Sequence, residues 1–117
     1  GVKNGCKVFD ECEFEINGTK SFQTMSTFFR SLGLKETLAY EKRRTLFAHK
    51  NLKFEFDEHP KIPAFLEIEA ANAQEIHAVI KRLGLEEYER TAETIGELMR
   101  RKYPKISLNG LSFGRKV

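Results

Sequence analysis

The segment Phe65-Leu66-Glu67-Ile68-Glu69 constrains this chain most, because a strand there carries two carboxylates on one face and Leu66 and Ile68 on the other. Such a strand needs an apolar layer beneath it and compensating charge above it. Lys42-Arg43-Arg44 repeats the pattern with the opposite sign, since Lys42 and Arg44 also lie two residues apart and share a face. A guanidinium fork and a mobile ammonium suit phosphate oxygens, and paired carboxylates suit a hard divalent cation that keeps several waters. Charges alternating with apolar residues are also what any half-exposed antiparallel strand shows, so the pattern by itself fixes faces and not chemistry.

The other periodicities predict an α+β chain. Lys7 to Ile16 alternates Glu11, Glu13 and Glu15 against Cys12, Phe14 and Ile16, which predicts a strand. After the turn pair Asn17-Gly18, the spacing of Phe22, Met25, Phe28, Phe29 and Leu32 predicts a buried helix from Ser21 to Gly33. Leu38 to Phe47 and Leu52 to Asp57 read as strands joined by a hairpin turn at His49-Lys50-Asn51, and Pro60 and Pro63 mark an irregular path to the strand Phe65 to Ala70. Asn72 is the expected N-cap of a second helix, with Glu75 as its capping-box partner, Ile76, Val79, Ile80 and Leu83 as its buried stripe, and Gly84 as its end. A third helix is expected from Thr91 through Ile95, Leu98 and Met99, stopping before Pro104. A last strand or hairpin is expected around Asn109-Gly110, within Ile106 to Val117, with a frayed end at 114–116.

Composition removes several function classes. The 117 residues, 40% hydrophobic and 32% charged, fit one domain with a core. The net charge of +3 is too balanced to argue for nucleic acid, and Arg100-Arg101-Lys102 falls at a helix carboxy terminus, where cations complement the dipole. The apolar runs fall far short of the roughly 20 residues that span a bilayer. The amino terminus carries no basic-then-apolar signal pattern, so the expected location is cytoplasmic. Cys6 and Cys12 form no CxxC, and His49, His59 and His77 are scattered over a turn, a loop and a helix, which predicts surface histidines and not a metal centre.

The ordered series Glu41-Lys42-Arg43-Arg44, Phe54-Glu55-Phe56-Asp57-Glu58 and Phe65-Leu66-Glu67-Ile68-Glu69, followed by a helix ending in Leu-Gly-Leu, resembles the carboxy-terminal half of the CYTH superfamily, the triphosphate tunnel metalloenzymes. The resemblance covers about residues 10 to 100. It implies an antiparallel β tunnel, here half of an eight-stranded closed barrel, with helices packed outside. It also implies a triphosphate substrate, namely inorganic triphosphate, thiamine triphosphate or a nucleoside triphosphate, handled with Mg2+ or Mn2+. On this resemblance Lys42 and Arg44 grip phosphate oxygens, Glu67 and Glu69 help hold metal, and Asp57 joins them as the aspartate preceding the Phe-Leu-Glu-Ile-Glu strand. The implied activity is metal-dependent triphosphate hydrolysis. The alternatives are a class IV adenylyl cyclase making cyclic AMP from ATP, or a polyphosphate-binding module without turnover.

One departure shapes the domain reading. The family signature opens with Glu-x-Glu-x-Lys, whereas Glu11-Cys12-Glu13-Phe14-Glu15 has glutamate where the lysine belongs, so the segment reads as a mid-domain strand. Residues 1–117 are therefore expected to be a single CYTH-like domain lacking its amino-terminal half. That half would be supplied by a longer protein or by pairing with a second copy, or else the domain is degenerate.

Overall fold

A computed structural model describes residues 1–18 and 20–114. The chain is α+β, with three helices and two small antiparallel sheets. β1 (Val2–Lys3) and β2 (Cys6–Lys7) form a minimal hairpin, turned by Asn4 and Gly5 in left-handed conformations. The larger sheet has the order β3-β4-β5, from Arg43–His49, Leu52–Glu58 and Phe65–Glu69. Lys50, with φ at 55°, makes the tight turn between β3 and β4. Among the described residues this sheet is open and does not close into a barrel.

The helices α1 (Ser21–Ser31), α2 (Ala73–Arg82) and α3 (Ile95–Lys102) start and stop for local reasons. Asn72 caps α2 by accepting from the Glu75 amide at 2.9 Å, and Glu75 in turn accepts from the Ala71 amide. α3 begins at Ile95, later than its apolar spacing predicts, because Thr94 and Glu97 form a reciprocal capping box. Arg101 then reaches back to Glu93 and Glu89, closing the 89–94 loop onto the helix.

The core lies where α3, the turn at 59–62 and the carboxy-terminal segment meet. Ile62, Met99, Leu108 and Leu111 are buried, with Tyr40, Phe65, Ile95, Tyr103 and Ile106 packed around them. The carboxy-terminal segment is held by main-chain bonds, Gly110 donating to Ala39 and Glu41 to Leu111, and by the Asn109 side chain accepting from the Ala39 amide. No strand forms within 106–114. Residues 115–117, the remainder of that expected hairpin, lie outside the described residues.

Three sequence expectations are corrected. Lys7 to Ile16 is not a strand beyond Lys7: Val8 still bonds Gly1, but among the described residues no strand pairs with 9–17, and Phe14 is 84% exposed. α1 forms where predicted but buries none of its apolar stripe, and Phe22, Phe28, Phe29 and Leu32 all face solvent. Leu83 also lies outside the α2 stripe, exposed, while Val79 and Ile80 are buried. The radius of gyration, 17.1 Å, exceeds the roughly 13 Å of a compact chain of this length.

Candidate functional site

Strand pairing decides which charges meet. Arg44 lies opposite Asp57 and Leu46 opposite Glu55, while across the other edge of β4 Glu55 lies opposite Glu67 and Lys53 opposite Glu69. Side chains alternate, so Arg44, Lys53, Glu55, Asp57, Glu67 and Glu69 share one face of the sheet, and Lys42 joins them just ahead of β3. Phe47, Phe54, Phe56, Leu66 and Ile68 occupy the reverse face.

Arg44 is the hub of the ionic face. Its fork bonds Asp57 twice, Nε to Oδ1 at 2.6 Å and Nη2 to Oδ2 at 2.7 Å, the bidentate geometry that a planar guanidinium favours. Nη1 reaches Glu55 Oε2 at 3.0 Å, and Nη2 stands 3.7 Å from Glu67 Oε2. Lys42 Nζ approaches Asp57 Oδ2 at 3.5 Å. Three carboxylates thus surround one guanidinium, with an ammonium on the flank.

Burial and charge divide these groups into two kinds. Asp57 is 1% exposed, covered by its own ion partners, and the Arg44 hydrogen bonds hold its carboxyl below the usual range against the opposing effect of desolvation. The same bonds push the Arg44 guanidinium upward, so that it stays charged throughout. Glu67 is shifted the other way, raised by desolvation and by the Asp57 charge. Over half of its side chain still meets water, and screening blunts that push. Glu67 keeps only the long contact to Arg44, whereas both Asp57 oxygens are engaged.

The five expected site residues therefore share one face but not one role. Lys42, Arg44 and Asp57 form a closed ionic knot, Glu67 borders it, and Glu69 sits one repeat farther along β5, opposite Lys53. The face is open, and two depressions of the surface lie elsewhere, beside residues 105–112 and between Ile16 and Met25. Among the described residues no three His, Cys, Asp or Glu side chains converge closely enough to hold a metal ion. Glu67 and Glu69, both exposed and on one face, fit the one or two carboxylates that magnesium takes beside water and phosphate. Asp57 fits less well while Arg44 occupies both of its oxygens.

Sequence reasoning missed two residues. Glu55 was one alternating charge among several until register set it between Arg44 and Glu67. His59, expected at the surface, is 7% exposed, because the turn at Pro60 folds it between Tyr40 and Phe65. Its ring stacks on Tyr40 at 5.9 Å and meets Phe65 edge-on at 5.9 Å. Its Nδ1 is sealed without a hydrogen-bond partner, and burial pushes its pKa down. Tyr40 precedes Lys42 by two residues and His59 follows Asp57 by two, so this aromatic stack fixes both flanks of the knot. The one available signal was parity, since His59 continues the Glu55-Asp57 row.

No family model matches the chain, and no curated protein or solved structure matches it. No helix is long and apolar enough to cross a membrane among the described residues.

Proposed function

We propose that this chain is the phosphate-gripping half of a triphosphate tunnel metalloenzyme, binding a triphosphate together with Mg2+ or Mn2+ on the ionic face of the β3-β4-β5 sheet. The observation that carries the reading is the convergence of Lys42, Arg44, Asp57 and Glu67 on one face, in the order and spacing of the family resemblance. In this reading the face is one wall of a tunnel whose remaining strands come from outside the sheet.

Each residue has a physical task. Asp57 and Glu55 hold the guanidinium plane of Arg44 in place, and a phosphate oxygen would take the N–H groups that these two carboxylates leave unbonded, competing with the long contact to Glu67. Lys42 adds a mobile charge that follows the phosphate chain. Glu67 and Glu69 are the carboxylates that would hold the metal. When bound, the ion neutralises charge on the phosphates and helps orient the displacement. Water as the nucleophile gives hydrolysis, and a ribose hydroxyl gives cyclisation.

A second reading, phosphate binding without turnover, is favoured by one feature: both oxygens of Asp57 are committed to cations. Calorimetry with inorganic triphosphate, with and without magnesium, separates the two. The enzyme reading expects magnesium to strengthen binding, and expects the Arg44→Ala variant to lose about tenfold or more in affinity, as for loss of a charge-assisted bond. Arg30→Ala, on α1, is the control. Metal-indifferent binding would favour the module. Equal affinity of wild type and Arg44→Ala would end both readings.

A further inference from the structure

We propose a second anion site, separate from the ionic face and independent of its function: the depression of about 320 Å3 between the turn at Lys61 and the carboxy-terminal segment, which takes a phosphate dianion as inorganic phosphate or a phosphate monoester. Its polar lining is Lys61, Lys105, Ser107, Asn109 and Ser112, with no carboxylate among its lining residues. Among the described residues neither ammonium group lies within 4 Å of a carboxylate, in contrast to Lys42, Arg44, Arg101 and Lys102. Two unneutralised cations stand beside the Ser112 hydroxyl and the Ser107 hydroxyl, the latter donating to the Asn109 carbonyl at 3.2 Å, with no carboxylate among them, and a phosphate would complete that chemistry.

Lys61 gives a second, independent reason. It follows Pro60 and has φ at 64°, the left-handed conformation that the third position of such a turn reserves for glycine or asparagine. The hairpin lysine, Lys50, makes the same excursion at 55°, but it is not among the residues that line this depression. At Lys61 the chain keeps a long cationic side chain where backbone strain favours none, a pattern typical of binding positions. The floor is held in place: Leu111 belongs to the buried core, and Asn109 is pinned by the Ala39 amide at 3.0 Å. A floor held by the core with two cations beside it matches a small, strongly charged ligand better than an extended chain.

The test is a titration of the labelled 117-residue chain with inorganic phosphate and, separately, glycerol 3-phosphate, followed by amide shifts at constant ionic strength against sodium chloride. Saturable shifts confined to Lys61, Ser107, Gly110 and Ser112 are expected. Binding of both ligands assigns the site to phosphate groups in general, and binding of phosphate alone assigns it to the free ion. Lys105→Gln should weaken the affinity about tenfold. Lys61→Gly should do the same while leaving the fold intact, since glycine takes this φ without strain. The proposal is overturned if these shifts fail to saturate or match those in chloride. It is equally overturned if Lys61→Gly, shown folded by its amide spectrum, binds phosphate as wild type does.

Discussion

Helices α1 and α2 close with the same device and share an apolar stripe, yet only α2 is packed. In each, a left-handed glycine (Gly33 at φ 84°, Gly84 at φ 68°) lets the following leucine amide bond back across the last turn, Leu34 to Phe29 and Leu85 to Ile80, both at 3.0 Å. α2 has a side-chain N-cap and buries Val79 and Ile80; α1 has neither a side-chain cap nor a buried residue. Local chemistry ends both helices equally well. Burial requires a partner surface, and α2 follows β5 after only three residues, whereas α1 is separated from β3 by a loop of eleven. The exposed phenylalanines of α1 are thus an apolar face without a layer, and Phe47 and Phe56 behind the sheet are also exposed, so the stability rests on the buried cluster of Ile62, Met99, Leu108 and Leu111 at α3.

Three measurements bear on that contrast, the largest effect first. Met99→Ala, which empties the best-buried apolar position of the core, should lower the unfolding free energy by about 2–5 kcal/mol in urea denaturation, and a loss under 1 kcal/mol would mean that the core is not where the packing places it. Acid should act next, through the sheet and not through α1. Burial depresses the His59 pKa, so the unfolded state takes the proton first and stability falls as pH drops below 6.5 toward the lowered value. Asp57 is depressed as well, so its contribution is present above 3.8 and is lost as pH falls through its lowered value. That loss is about 1–2 kcal/mol once screening at the partly exposed Arg44 is allowed for. Glu67 works the other way. Its raised pKa lets the folded state take a proton first, so it returns some stability as pH falls through its raised value toward 4.5. Urea midpoints from pH 7 to pH 2.5 follow all three, and His59→Phe should remove only the first decline. The smallest effect belongs to α1. Phe28→Ala, at a position 52% exposed, should change stability by less than about 0.5 kcal/mol. A loss comparable to that of Met99→Ala would show that α1 docks after all and would dissolve the contrast between the two helices.

What was legible in the chain follows the range of the interactions involved. Alternation placed Lys42 with Arg44 and Glu67 with Glu69 on shared faces, and Leu52, Phe54 and Phe56 opposite Lys53, Glu55 and Asp57, because a strand's side-chain period is fixed by its backbone. Asn72 and the Leu-Gly-Leu words marked helix ends because caps are made within five residues. The strand expected over 7–16 failed for the complementary reason: alternation describes a strand only when another strand is present to pair with it.

The sequence by itself determined the elements that rest on neighbours a few residues apart: the faces of β4 and β5, the turn at Lys50, and the caps of α2. Only the tertiary structure decided that Arg44 would bind Asp57 through both oxygens, that Glu55 would stand between Arg44 and Glu67, that His59 would be sealed between Tyr40 and Phe65, and that α1 would stay uncovered. Those outcomes depend on strand register and on which surfaces meet, and both are set by contacts between residues far apart in the chain, which no local period encodes.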